Sequence, residues 1–116
     1  MNIFKALLGL KDINVTGNMK VNTLKKQFKE SFGTEIRVYK TLNTGKGSRP
    51  ADEKSTLASI GDTSKKVESM TIKKSKTVGK IEDEFREVMG IGIQIMTPDG
   101  KSFASNDMRL KEVSKL

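Results

Sequence analysis

The sequence contains no cysteine, no histidine and no tryptophan, and it has only one tyrosine. The absence of cysteine excludes disulfides and thiolate metal sites. The absence of histidine removes the commonest general base and the commonest transition-metal ligand. No stretch approaches the roughly 18–20 apolar residues that a membrane span needs. These absences argue against an enzyme, and we expect no cofactor and no metal site.

The chain has fewer acidic than basic residues. The 116 residues carry 22 Lys and Arg against 14 Asp and Glu, which gives a formal net charge of +8 at pH 7. Residues 1–58 contribute +6 of this charge and residues 59–116 contribute +2. A basic excess favours an acidic protein, a nucleic acid or an anionic lipid surface as the partner. Most of the cations are lysines without interleaved aromatic residues, which makes the signal for nucleic acid weak.

The apolar pattern of residues 13–38 recurs 57 positions later. Phe28 corresponds to Phe85, and Gly33 corresponds to Gly90, while the residues between the apolar positions almost never agree. Two copies of one supersecondary unit would share such an apolar pattern and one glycine. The sequence therefore predicts an internal repeat.

Each copy is predicted to contain a strand, a helix, a second strand and a short capped helical turn, from alternating and helical apolar spacing. Gly33 and Gly90 are expected to end the two helices in the left-handed conformation. The predicted elements are a strand at 12–16, a helix at 20–32, a strand at 34–40 and a turn at 55–60, then a strand at 67–73, a helix at 78–89, a strand at 91–96 and a last turn near 110–113.

The length fits a single domain, 1–116, with one core. We divide it into an N-terminal appendage at 1–11, a first repeat at 12–60, a linker at 61–66 and a second repeat at 67–116. Two strands with one helix are marginal alone. The two pseudo-symmetric β-α-β-turn copies are therefore expected to share one mainly antiparallel sheet. The predicted fold class is α+β, on the ferredoxin-like βαββαβ plan.

A second description of the fold comes from the segment after the first helix. Its D-x-x-x-T-L-x-x-I pattern consists of Asp52, Thr56, Leu57 and Ile60. The weaker counterpart in the second copy consists of Asp107, Leu110 and Val113. Each repeat thereby resembles part of the ubiquitin-like β-grasp, in which a short capped turn follows the strand after the helix. Each copy has one strand before its helix where ubiquitin has a hairpin, and the C-terminal diglycine is absent, so conjugation is not implied.

Over residues 12–113 the chain resembles a group of uncharacterised small bacterial proteins with tandem copies of this strand–helix–strand unit. The resemblance rests on the apolar pattern more than on rare residues. It implies a tandem half β-grasp as the alternative to the ferredoxin-like plan, and it implies no particular activity.

The acidic residues 82–84 and Glu87 are the only carboxylate cluster. Only Asp83 and Glu87 are spaced at i, i+4, because successive helical residues point in different directions. A solvated face is therefore expected rather than an acid–base pair, and the spacing of a calcium loop is missing. Residues 44–48, TGKGS, lack the spacing of a phosphate-binding loop. We interpret them as part of a flexible loop that could still contact an anion.

Two classes of function remain. The preferred one is a non-enzymatic interaction module that recognises an anionic surface, most of all an acidic protein. The alternative is a nucleic-acid binder without sequence preference. Glu35, Arg37 and Tyr39 are expected on the outward face of their strand, as are Gln94 and Met96 in the second copy. The candidate partner-binding residues are Lys25, Lys26, Lys29, Arg37, Tyr39, Lys46 and Arg49.

The two predicted helices carry charges of opposite sign, since the first carries lysines and the second carries carboxylates. The two helices could therefore attract each other within one chain, or two copies could pair head to tail as a homodimer. Phe4, Leu7 and Leu8 form a short apolar stripe near the N-terminus, but membrane anchors usually need more length and more cations. A membrane partner is not expected, and a cytoplasmic location is the default.

Overall fold

The computed structural model describes residues 10–64 and 69–116. The fold is α+β, as predicted. The first half contains β1 (Ile13–Val15), α1 (Val21–Phe32), β2 (Ile36–Val38) and the 3-10 turn η1 (Leu57–Ser59). The second half contains β3 (Met70–Ile72), α2 (Val78–Glu84) with a π-helical continuation at Phe85–Met89, β4 (Ile93–Ile95) and α3 (Leu110–Val113).

Two glycines end the two long helices, as predicted. Gly33 has a φ of 69° and Gly90 has a φ of 66°, a left-handed conformation that a side chain would strain. The Gly33 N–H donates to the Lys29 carbonyl at 2.8 Å, and the Gly90 N–H donates to the Arg86 carbonyl at 3.2 Å. These bonds satisfy carbonyls that a helix end otherwise leaves unpaired.

The four strands form two separate antiparallel pairs, β1 with β3 and β2 with β4. This arrangement corrects the prediction of one sheet shared by all four strands. The outer edges of β2 and β4 are taken by the segments that follow them. The Ala51 N–H donates to the Val38 carbonyl and the Ala104 N–H donates to the Ile95 carbonyl, both at 2.9 Å. The returning segments therefore pair with the last carbonyl of each strand at its outer edge.

The strand register follows the offset seen in the sequence. Asn14 lies opposite Thr71, and Arg37 lies opposite Gln94, so both central pairs join residues 57 positions apart. Each strand of the first half therefore pairs with the strand at the corresponding position of the second half.

One apolar cluster joins the two halves. Phe28 and Phe85 belong to it, and both side chains are 0% exposed. The predicted core positions of these two phenylalanines are confirmed. Helix α1 also packs against α3, so the long helix of the first half contacts the last helix of the second.

Tyr39 and Met96 do not lie on an open sheet face, contrary to the prediction. Tyr39 is 8% exposed and Met96 is 1% exposed. In each half the chain returns across the end of the strand and places a residue opposite, Pro50 beside Tyr39 and Phe103 beside Met96. The simple alternation of buried and exposed residues therefore stops at Val38, and its neighbour Tyr39 is buried as well.

Three sequence predictions fall wholly or partly outside the described residues. They are the apolar stripe of Phe4, Leu7 and Leu8, the end of the linker at 65–66 and the start of the second repeat at 67–68. Leu10 is partly buried against the core, and its N–H donates to the Ser31 carbonyl at 3.2 Å. Over residues 10–64 and 69–116, no helix has the length and apolar character needed to cross a membrane.

Candidate functional site

A groove of about 730 Å³ lies beside the outer edge of β2. Its walls come from the first turns of α1, from β2 and from loop residues 44–48, and Phe103 contributes from the second half. We call this feature the edge groove. It is the place where the cationic loop and the lysine-bearing helix of the first half meet.

The edge groove arises from a difference in loop length between the halves. The connection from Val38 to Ala51 is four residues longer than the connection from Ile95 to Ala104. The shorter one is a tight turn, in which the Gly100 N–H donates to the Thr97 carbonyl at 2.8 Å. The extra residues of the longer connection form the wall at residues 44–48.

The loop of the first half rests on the second half. A guanidinium N–H of Arg86 donates to the Leu42 carbonyl at 2.9 Å. A Cβ added at Gly92 would lie 2.8 Å from the Thr41 carbonyl oxygen and 2.9 Å from the Thr44 methyl group. The loop can pass this close because Gly92 has no side chain. The groove wall is thus held by contacts that only the folded chain provides.

Three cations and two carboxylates line the edge groove, namely Lys25, Arg37, Lys46, Glu35 and Glu53. The Lys25 ammonium lies 3.0 Å from a Glu53 carboxylate oxygen. The two side chains are 34% and 62% exposed. An ion pair this exposed contributes only about 0–1 kcal/mol, so Lys25 can exchange this partner for another anion at little cost.

The structure gathers only part of the predicted site. The predicted residues that line the edge groove are Lys25, Arg37, Tyr39 and Lys46. Lys26 and Lys29 are exposed on α1 outside the groove lining. Arg49 is exposed beside the lining residues Ser48 and Pro50 without belonging to the lining itself.

Phe103 is an aromatic lining residue that the sequence interpretation missed. It is 56% exposed, whereas the other described phenylalanines are buried in the core. It follows the turn at Pro98–Gly100 and belongs to no helical or alternating apolar pattern. A phenylalanine outside such a pattern is the signal that could have identified it, because exposed aromatic residues are enriched at interfaces.

A backbone donor of β2 also faces the groove side. The Tyr39 N–H donates to the Gly92 carbonyl at 3.0 Å, and the Met96 N–H donates to the Glu35 carbonyl at 2.9 Å. These bonds mark the hydrogen-bonded pairs of the ladder, and such pairs alternate along antiparallel strands. The Val38 N–H therefore points away from β4, and it has no hydrogen-bond acceptor in the part of the chain that the structure describes.

The corresponding donor in the second half is paired. The Ile95 N–H donates to Oε2 of Glu82 at 3.0 Å. Burial raises the pKa of the Glu82 carboxyl, the hydrogen bond from Ile95 opposes this rise, and the neighbouring Asp83 charge adds to it. In the first half Lys25 stands at the position of Glu82, and an ammonium group cannot accept a hydrogen bond.

The acidic face of α2 is less solvated than its sequence predicts. Glu82 is half-buried and bound to β4, and Glu84 lies 2.7 Å from the Lys76 ammonium in another half-buried contact. Asp83 and Glu87 are exposed. Residues 10–64 and 69–116 contain no group of three acidic residues arranged to hold a metal ion.

No protein-family model, curated protein or solved structure gives a significant match to this chain.

Proposed function

We propose that this protein is a non-enzymatic interaction module that binds an acidic partner protein through the cationic surface of its first half. This surface, the basic face, comprises Lys25, Lys26, Lys29, Arg37, Lys46 and Arg49. It joins the exposed side of α1 to the edge groove and to the loop that forms the groove wall.

One observation carries the proposal. The lysines of α1 are not neutralised by the carboxylates of α2, since no ion pair joins the two helices within the described residues. Lys26 and Lys29 have no acidic partner there, and Lys25 pairs only with Glu53 of its own half. Unpaired cations on one face attract an acidic partner and raise its rate of association.

Nucleic acid is the alternative partner. Burial of Tyr39 leaves its ring unable to stack on a base, and sequence-specific RNA modules depend on such stacking. Contact with phosphates through lysines alone would be independent of sequence and strongly dependent on salt. Head-to-tail pairing of two copies, α1 of one against α2 of the other, is a further outcome that the experiment distinguishes.

The test measures fluorescence anisotropy of three labelled probes: a glutamate octapeptide with blocked ends, a single-stranded RNA and a duplex DNA. We expect the protein to bind the peptide with an affinity that falls as the salt concentration rises. The affinity should fall about tenfold or more when Lys25, Lys26 and Lys29 are changed to Glu. The control variant changes Lys73, Lys111 and Lys115 to Glu. These lysines are exposed in the second half, so the control makes the same change in net charge elsewhere.

Circular dichroism and thermal melting establish that both triple variants fold. Equal weakening by the two variants would refute a partner site on the basic face, because net charge alone would explain the binding. Preferential binding of RNA or DNA would replace the acidic protein with the alternative class. A dimer of wild-type protein that the first triple variant dissolves, with no peptide bound, would establish the head-to-tail pairing instead.

For the finer fold we propose two copies of one β-α-β-turn unit, a tandem half β-grasp, related by an approximate twofold axis. Equivalent backbone contacts support this. The Val21 N–H donates to the Ser55 carbonyl, and the Val78 N–H donates to the Met108 carbonyl, both at 2.9 Å. Solving the crystal structure and superposing the halves tests it, and dissimilar paths for the two units would refute it.

A further inference from the structure

We infer that the edge groove binds a glutamate or aspartate side chain of an extended acidic segment, whose carboxylate accepts the Val38 N–H and lies beside Lys25. This inference rests on the proposed function and names the contact that would give it specificity. The chain itself contains an example of such a contact, because Glu82 accepts the Ile95 N–H in the second half.

The two donors occupy equivalent places. Arg37 and Gln94 lie directly opposite each other, and Val38 and Ile95 are the next residues on β2 and β4. The carbonyls of Val38 and Ile95 accept equivalent bonds from the returning segments, both at 2.9 Å. Only the N–H groups differ, since that of Ile95 has a carboxylate and that of Val38 has no acceptor among the described residues.

The two halves carry different residues at the matching helical position, which explains why one N–H has an acceptor and the other has none in the described part of the chain. Glu82 of α2 supplies the carboxylate from within the chain, whereas its counterpart Lys25 supplies a cation. An unpaired strand-edge N–H in a groove that also contains an ammonium group is suited to a carboxylate, because charge-assisted hydrogen bonds to a backbone donor are stronger than neutral ones. Edge-strand donors of this kind also recognise extended peptides.

Space and charge agree with an acidic side chain as the occupant. The groove of about 730 Å³ lies beside β2, and residues 44–48 of the longer loop form one of its walls. Val38 lines the groove together with Lys25, Arg37 and Lys46. Glu53 already holds the Lys25 ammonium at 3.0 Å, so a carboxylate is an accepted neighbour at this position.

The direct test follows the Val38 amide by NMR during titration of ¹⁵N-labelled protein with the end-blocked glutamate octapeptide. We expect the Val38 amide proton to move downfield, toward the behaviour of Ile95, whose amide is already bonded to a carboxylate. The same peptide with a free C-terminal carboxylate is a second arm. Stronger binding of the free-acid form alone would overturn the side-chain assignment in favour of a chain terminus.

A pair of variants separates this contact from general charge attraction. Lys25→Glu with Glu53→Asn copies the second half into the first, because Glu82 and Asn106 stand at the corresponding positions. It changes the net charge by −1. The control, Lys80→Glu with Glu87→Gln, makes the same change in net charge at exposed helical positions of the second half, outside the basic face and the groove lining.

We expect the first variant to shift the Val38 amide downfield without peptide and to weaken peptide binding by about tenfold, while the control stays within about twofold of wild type. Equal weakening in both variants, with an unmoved Val38 amide, would overturn the carboxylate site and leave only attraction by net charge. A wild-type protein that binds none of the acidic probes would overturn the proposed function as well. Circular dichroism of both variants separates loss of the site from loss of the fold.

Discussion

The Glu82 carboxylate covers the outer edge of β4 by accepting the Ile95 N–H at 3.0 Å. The matching donor of β2, the Val38 N–H, points toward a groove that contains Lys25. Glutamate at one helical position and lysine at the matching one thus distinguish a paired edge donor from one that is unpaired among the described residues. The predictions below test the parts of the fold on which this difference depends.

Changing Glu82 to Gln should remove a pH dependence of stability. Burial raises the pKa of this carboxyl above its ordinary value of 4.5, so the folded state favours the neutral acid. The stabilising contribution is complete below the unfolded pKa and is lost as the pH rises through the raised folded pKa. Glutamine cannot ionise, and its amide oxygen can still accept the Ile95 N–H. The stability of Glu82→Gln relative to wild type should therefore increase with pH across this window.

Urea unfolding at a series of pH values measures this difference. Glu87→Gln is the control, because it makes the same change in charge at an exposed position of the same helix. A difference between Glu82→Gln and wild type that stays constant with pH, or that falls as the pH rises, would contradict the prediction.

Truncating Phe85 should destabilise the whole chain. Its side chain is 0% exposed in the cluster that joins both halves, and Phe→Ala changes in cores cost about 3–5 kcal/mol. Phe103→Ala is the matched control, since that ring is 56% exposed and its removal should change stability by less than about 0.5 kcal/mol. Chemical denaturation of both variants provides the comparison, and a similar cost for the two would argue against a shared core. A stably folded fragment of residues 12–62 would argue against it independently.

A methyl group at Gly92 should displace the loop that forms the groove wall. A Cβ there would lie 2.8 Å from the Thr41 carbonyl oxygen, closer than real contacts allow. We expect Gly92→Ala to cost about 1–3 kcal/mol, as overpacking does, and to weaken binding of the acidic peptide. In Gly45→Ala, the added group would meet only the Asn43 side chain, at an ordinary 3.4 Å.

The two alanine variants are compared by thermal melting and by peptide binding. Gly45 lies in the loop wall itself, so Gly45→Ala controls for a change within the loop sequence. If Gly92→Ala matched wild type in both measurements, the loop would not depend on its contact with the second half.

The sequence by itself determined local structure, namely where helices form and where they end. Helix α1 could be predicted because Val21, Leu24 and Phe28 recur at helical spacing and are all buried. Its end could be predicted because Gly33 accepts a left-handed conformation without strain. The recurrence of the apolar pattern 57 positions later was visible for the same reason, and the strand pairs Asn14–Thr71 and Arg37–Gln94 have that offset.

Tertiary structure decided how the strands pair and where the site lies. Three-residue strands carry too little pattern to choose their partners, and the structure pairs them in two separate sheets, with returning segments at the outer edges of β2 and β4. The same segments buried Tyr39, which alternation alone had placed outward. Phe103 and Lys25 meet in one groove although 78 residues separate them. Such long-range neighbours depend on the packing of the whole chain, which local spacing does not encode.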